Sequence, residues 1–376
     1  MSEVEAQPIQ SNNAKAISGR LQKFWEAAIR LEVSDVIIRP GVPVKFRIRG
    51  LLKNAEAAPF TNEELEENLR EMLTEEQWSH YLARGSVDLA YAYDEDNRFR
   101  VNVFRTMGRS AVAARRVSSE ILSYEQLGLP PIMGEIAKHH QGLVLLCGIT
   151  GSGKSTTIAA MLQAINETRP CHILTIEDPV EFIFKDHTAI VNQREIGVDL
   201  PAFSDGLRAL VRENPDVVLI GELRDKETFE AAVQAAETGH LVFGTVHASS
   251  ASQCFSRIYN LFPPEERGLI REMFSQSIQA VVYQRLLKTI REDVPRVPAV
   301  EVLLGSPSVK KYILEGREVE LPELIRKSQH EGMIDYTEWL VDLTLKEFIH
   351  PKVAMEAARN LDELKMRLKG IKTGTL

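Results

Sequence analysis

The sequence predicts an α/β protein: a core with a mostly parallel sheet, preceded by a small α+β domain and followed by C-terminal helices. Three observations carry that expectation. From Gly142 onward, apolar runs alternate with helix-length segments, and a strand apolar on both faces is one covered by helices on both sides. The first such run, Gly142 to Gly148, leads directly into the pattern GxxxxGK[ST], closed by Gly148, Gly153, Lys154 and Ser155, with a helical segment, Thr156 to Asn166, behind it. Upstream of residue 118 the apolar runs are short and surround an acidic helical stretch, the signature of a separate α+β unit.

Taken in order, residues 1–18 are polar and without period, which predicts a disordered tail, and residues 19–117 form the first domain. It holds a helix, Leu21 to Leu31, strands at Val36 to Arg39, Val44 to Ile48, Val87 to Tyr93, Phe99 to Phe104 and Ala111 to Val117, and the acidic helix Asn62 to Leu82. Residues 118–131, with Gly128, Pro130 and Pro131, read as a linker before the core domain at 132–376. Beyond about residue 305 the chain turns helical, with Val353, Ala357, Leu361, Leu364 and Leu368 spaced as an amphipathic stripe that packs on its own protein.

Composition narrows the class. At 376 residues, 44% hydrophobic and 26% charged, the chain has the makeup of a soluble globular protein of two or three domains. It lacks a membrane-length apolar run, and its polar start carries no secretory apolar stretch, so the expected location is cytoplasmic. Cys147, Cys171 and Cys254 are isolated in or beside apolar stretches and read as buried, reduced thiols. The net charge of −8 argues against a broad nucleic-acid surface.

The glycine-rich loop points to a nucleoside triphosphate. Glycines let the backbone fold around phosphate oxygens, so that consecutive N–H groups and the N-terminus of the next helix face the anion. Gly148, Thr150, Gly151, Ser152, Gly153, Lys154, Ser155 and Thr156 are the expected ATP contacts, with Lys154 on the β and γ phosphates and Ser155 on Mg2+. Three further apolar runs end in polar residues: His172 to Ile176 before Glu177 and Asp178, Val217 to Ile220 before Gly221 and Glu222, and Leu241 to Val246 before His247. Parallel strands present their carboxyl ends to the ligand, so these side chains should converge on the loop. Glu222 suits the magnesium, partly through water, or the nucleophile; Glu177 suits the orienting base, with Asp178 and Glu181 as supporting acids; His247 suits a γ-phosphate sensor or a structural hydrogen bond. Arg208 and Arg212 lie four apart on an expected helix and would share a face. Arg98, Arg100, Arg109, Arg115 and Arg116 cluster in the first domain, where a cation could reach a nucleotide from another domain or subunit.

In that order, GITGSGKSTT, HILTIEDPVEF with VNQREIG (191–197), RENPDVVLIGELRD and AAETGHLVFGTVHASS closely resemble the Walker A, Asp-box, Walker B and His-box of the secretion ATPase superfamily. Within it the chain is most similar to the type IV pilus retraction, or twitching motility, ATPases of the PilT/PilU-like group, over about residues 30–370, including SDVIIRPGVPVKFRIRG and RFRVNVF. The resemblance implies a homo-hexameric ring with a PAS-like first domain and a RecA-like P-loop ATPase core. It further implies that ATP and Mg2+ drive pilus movement through an inner-membrane platform protein, from the cytoplasmic side of the pilus base. On that likeness Lys154 and Ser155 bind phosphate and magnesium, Glu177 is the catalytic glutamate, Glu222 the Walker B acid and His247 the His-box histidine, while Arg100 and Arg115 match arginines that approach ATP from a neighbouring domain.

The chain lacks the longer N-terminal region and four-cysteine metal motif of pilus-assembly and type II secretion ATPases, which favours the retraction branch. Two segments depart from that branch. Ser308 to Glu315 carries Lys310 and Leu314 where the retraction signature AIRNLIRE has arginines, and Ile37 stands where the SDLH motif has histidine. The departures leave two readings standing, a retraction motor and an accessory ATPase dependent on a paralogous partner motor. A nucleic-acid-stimulated RecA-type translocase is a third, disfavoured by the acidic charge.

Overall fold

The computed structural model describes residues 19–48, 50–94, 96–117, 120–210, 212–291 and 294–370; the tail expected at 1–18 lies outside the described residues. The chain divides into two units, one reaching Glu120 and including Glu181–Ile183, the other holding Ile121–Val180 and the residues from Phe184.

The first unit is built on β1 (Asp35–Ile38), β2 (Lys45–Ile48), β3 (Leu51–Asn54), β4 (Ser86–Ala92), β5 (Arg98–Thr106) and β6 (Arg109–Val117), with helices α1 (Arg20–Arg30), α2 (Asn62–Met72) and α3 (Glu75–Arg84). Its sheet is antiparallel throughout, in the order β3-β2-β1-β6-β5-β4. Along α1, Leu21, Phe24, Trp25 and Ala28 form a buried stripe at helical spacing, and Trp25 packs on Phe99 of β5 with ring centroids 4.8 Å apart. The single acidic helix expected over 62–82 is two helices. Thr74 starts the second, its hydroxyl accepting from the Gln77 amide while the Gln77 side chain returns to the Thr74 amide, and that capping box breaks the run after Leu73.

The second unit contains β7 (Gly142–Cys147), β8 (His172–Glu177), β9 (Ile190–Glu195), β10 (Val217–Ile220), β11 (Leu241–Val246), β12 (Ile278–Lys288) and β13 (Arg296–Leu304). Around them run α4 (Ile132–Ala137), α5 (Lys154–Thr168), α6 (Phe203–Leu210), α7 (Lys226–Glu237), α8 (Ala251–Tyr259), α9 (Arg267–Ser277), α10 (Pro307–Leu314), α11 (Leu321–Lys327), α12 (Tyr336–Leu345), α13 (Pro351–Ala357) and α14 (Leu361–Leu368). The strand order is β13-β12-β7-β11-β10-β8-β9, parallel except for β13 against β12. Successive residues of β7 serve opposite cores, Leu143, Leu145 and Cys147 one and Val144 and Leu146 the other, so both faces are covered. The stretch 121–131 has no helix or strand, yet Tyr124, Leu127 and Leu129 pack into the second of these cores.

Several expectations change. Val353 to Leu368 is not one stripe: Asn360 caps α14, accepting from the amides of Asp362 and Glu363, and separates it from α13. Arg208 and Arg212 do not share a helix, because α6 ends at Leu210 and Arg212 lies in the turn beyond it. Cys147 and Cys254 are buried, but Cys171, at the outer start of β8, is partly exposed. Strands β3, β9, β12 and β13 have no counterpart in the sequence reading; β3 and β9 are polar or exposed edges, and Gln284 and Arg285 interrupt the apolar run of β12.

Candidate functional site

The glycine-rich loop leaves β7 and enters α5 at Lys154, so the positive end of the helix macrodipole and its first-turn N–H groups open onto the loop. Two glycines are required by contact as well as by conformation. A Cβ on Gly148 would stand 2.4 Å from the carbonyl oxygen of Gln284, and one on Gly153, at φ +86°, would stand 2.8 Å from the Gln284 Nε2. Lys154 is folded back, its Nζ donating to the carbonyls of Gly148 at 3.0 Å and Ile149 at 3.2 Å. Ser155 and Thr156 follow in the first turn of α5, and the Ser152 side chain is buried within the loop. Thr150 and Gly151 form the exposed crest.

The carboxyl ends of the central strands are laced together at one level. The Gly148 amide donates to the Val246 carbonyl, the Gly221 amide to Ile176, and the Leu223 amide to Thr245, whose hydroxyl returns to the Gly221 carbonyl at 2.6 Å. Glu177 is 8% exposed, and its Oε1 accepts from Thr175 Oγ1 at 2.8 Å and Gln193 Nε2 at 3.3 Å. Glu222 takes the Arg224 Nε at 2.7 Å on one oxygen and sits 3.2 Å from His247 Nε2 on the other. The hydrogen bond from Arg224 to Glu222 holds that guanidinium protonated above its ordinary range. Glu222 and His247, each expected after a strand end, are thus brought into contact, and Gly221 runs close to the end of β8: a Cβ on Gly221 would lie 3.4 Å from the Glu177 Cα. Asp178 is exposed, 3.9 Å from Arg224, and Glu181 falls with the first unit.

A cavity of about 580 Å³ opens beside the loop, lined by Gly148, Thr150, His247 and Ser249 and by the polar face of α8, including Gln253 and Arg257. Sequence reasoning missed the residues that brace this region. Gln284 of β12 is buried against the loop. Glu301 of β13, 2% exposed, accepts from the Ala251 amide at 2.8 Å and pairs bidentately with Arg359 at 2.6 and 3.0 Å. Arg359 also donates to the Ser249 carbonyl and lies over the rings of Tyr283 and Tyr336. Burial works against the Arg359 charge, but the bond and charge of Glu301 outweigh it and hold the guanidinium protonated. The available signal was a polar interruption inside an apolar strand, Gln284 beside Arg285 in AVVYQRLL and Glu301 alone in AVEVLL, since a polar residue there must find a buried partner or reach solvent.

In the first unit, Arg98 and Arg100 are exposed on one face of β5, and Arg100 stands opposite Arg115 of β6. Arg115 is ion-paired to Asp35 at 3.0 Å, which offsets the like-charge pairing; Arg116 donates to Asn97, and Arg109 is exposed at the β5–β6 turn.

A family model described as "Type II/IV secretion system protein" matches residues 10–362. The chain is 38% identical to the twitching motility protein of Neisseria gonorrhoeae, over 85% of each sequence. It is 36% identical to the type IV pilus retractation ATPase PilT of Pseudomonas aeruginosa, over 87% of this chain and 94% of that one. The crystal structure of the pilus retraction motor PilT with bound ADP superposes with a TM-score of 0.85 at 38% identity, covering 92% of this chain and 98% of the other.

Proposed function

The chain belongs to the type II/IV secretion system protein family, and from that premise we propose that it is an ATP-hydrolysing motor that powers type IV pilus retraction and twitching motility. The observation that carries the reading is the convergence, at the carboxyl ends of β7, β8, β10 and β11, of a glycine-rich loop, two carboxylates and a histidine. The loop amides and the α5 N-terminus receive the phosphates, and Lys154 exchanges its own loop carbonyls for phosphate oxygens. Ser155 and Glu222 would hold Mg2+, which spreads the phosphate charge when bound. Glu177, held by Thr175 and Gln193, orients the attacking water. Glu222 joins His247 to that centre, so a change at the γ phosphate is passed to the loop ahead of α8.

The proposed assembly is a homo-hexamer acting on an inner-membrane platform protein from the cytoplasmic face of the pilus base. Among the described residues no helix is long and apolar enough to cross a membrane. Arg100 is the favoured cation from a neighbouring subunit: both arginines are exposed, but Arg115 is ion-paired to Asp35. A cation supplied in this way contributes roughly a thousandfold or more to phosphoryl transfer. ATPase activity measured against protein concentration, with molecular mass read from the same samples, tests the scheme. Turnover should appear with the assembled ring, vanish in Lys154→Ala, and fall much further in Arg100→Ala than in Arg115→Ala. Equal turnover per chain in a demonstrated monomer would overturn it.

The 308–315 segment supports a second reading, an accessory ATPase that depends on a paralogous pilus ATPase. It forms α10, with Lys310 bonded to the Gln276 carbonyl and Leu314 exposed where arginines stand in the retraction signature. Retraction restored by this chain in cells lacking every paralogue would exclude that reading.

A further inference from the structure

Gln284 lies in the middle of β12 and is 1% exposed. A buried primary amide has to pair both its carbonyl and its NH2 group, or it gives up the hydration it had in the unfolded chain. Here Oε1 accepts from Thr157 Oγ1 at 2.8 Å, and Nε2 donates to the Ser152 carbonyl at 2.8 Å. A carbonyl can only accept, so the bond to Ser152 fixes which end of the amide faces the loop. Thr157 belongs to the first part of α5 and Ser152 to the glycine-rich loop, so one side chain ties the loop to the helix it opens into. The two glycines that flank this tie are shaped around the same residue: Gly148 has room for no Cβ against the Gln284 backbone, and Gly153 none against its amide.

We infer that Gln284 is a positioning residue for nucleotide binding: it holds the Ser152 carbonyl and the α5 start in register, so that the loop amides keep their aim at the phosphates. The inference rests on the reading of residues 148–156 as the phosphate site. A side chain that merely filled the core would be replaceable by one of equal volume, whereas this one supplies a donor and an acceptor to two different elements. Loss of either bond lets the loop relax, and preorganised amides lose their advantage over solvent.

The experiment measures binding of a fluorescent nucleoside diphosphate to the full-length chain from pH 6 to 9, with thermal midpoints from the same samples, for wild type, Lys154→Ala, Gln284→Leu and Gln284→Glu. Gln284→Leu should weaken binding by roughly tenfold or more, because it strands a buried carbonyl and a buried hydroxyl. Gln284→Glu should bind nearly as wild type at low pH, where a protonated carboxyl still donates to Ser152 and accepts from Thr157. Burial raises the pKa of such a carboxyl, so affinity relative to wild type should decay as pH rises and it ionises against the carbonyl. Affinities within twofold of wild type in both variants at every pH would overturn the inference, as would a Gln284→Glu deficit independent of pH. If Gln284→Leu fails to fold, the Gln284→Glu profile decides alone. Lys154→Ala separates the two levels. Its loss of binding with both Gln284 variants normal refutes only the positioning role, while retained wild-type affinity in Lys154→Ala removes the phosphate-site reading and the inference with it.

Discussion

Glu177 and Glu222 on one side, and Gln284 and Glu301 on the other, are side chains of the same sheet held in opposite ways. The first two sit at or just past the carboxyl ends of β8 and β10, where Glu177 is held by Thr175 and Gln193 and Glu222 is shared between an exposed Arg224 and His247. The second two lie in the interior of the β12–β13 pair, 1% and 2% exposed, and each is bonded to backbone outside the sheet, Gln284 to Ser152 of the loop and Glu301 to Ala251 at the start of α8. Tyr283 and Glu301 are register partners, so both braces issue from neighbouring positions of one antiparallel pair. The difference separates chemistry from support. A group that must meet water and phosphate is set at a strand end beside the loop, while a group that must hold a loop still is best kept inside the sheet, where its hydrogen bonds face less competition.

The largest effect expected from this division is at Glu177. Glu177→Gln keeps an acceptor for Thr175 but loses the basic carboxylate, so turnover should fall on the order of a hundred- to a thousandfold. The thermal midpoint should stay within a degree or two of wild type. Steady-state ATPase rates beside a melting curve check both halves, and a variant that melts early and keeps its activity would erase the distinction.

The support side should behave in reverse. Arg359→Met leaves Glu301 as a buried carboxylate without its cation, a change worth about 3 kcal/mol; the low end of the range applies because Arg359 keeps part of its side chain in solvent. Adding Glu301→Gln to that variant should recover most of the loss, since a neutral amide can still accept from the Ala251 amide. Chemical denaturation of the two single variants and the double variant measures the coupling. Additive losses would mean that the pair is incidental to the loop.

The same division governs what could be read from the sequence. The strand-end chemistry was legible because its residues announce themselves: glycines around a lysine, and acids and a histidine terminating apolar runs. That reading puts Glu177, Glu222 and His247 just after apolar runs; in the structure Glu177 is the last residue of β8 and the other two follow β10 and β11, and the contact of Glu222 with His247 follows from strands β10 and β11 pairing in parallel. Gln284, Glu301 and Arg359 carry no local pattern. Their meaning depends on β12 lying beside β7 and on Arg359 crossing 58 residues of sequence to reach Glu301. Helix breaks were lost for a related reason. Periodicity registers apolar positions on both sides of Thr74 or Asn360, but the interruption is made by a single capping side chain.

The smallest expected effect distinguishes the two sides by access of solvent. Cys147 ends β7 with its Sγ directed to the Ser250 carbonyl at 3.6 Å, and it and Cys254 of α8 are buried, whereas Cys171, the residue before β8, is partly exposed. Burial lifts the Cys147 thiol well above its usual range and the Cys171 thiol more modestly. Thiolate is the reactive form, so in the native protein an alkylating reagent should modify Cys171 first, with a rate that climbs through the alkaline range. Cys147 and Cys254 should react only as the protein unfolds. Site-resolved mass spectrometry after timed alkylation gives the order. Modification of Cys147 at a native rate near that of Cys171 would mean that the core at the end of β7 opens to water as readily as the partly exposed approach to β8. In Arg359→Met, by contrast, faster labelling of Cys147 with Cys171 unchanged is the expected signature of a loop that has lost its brace.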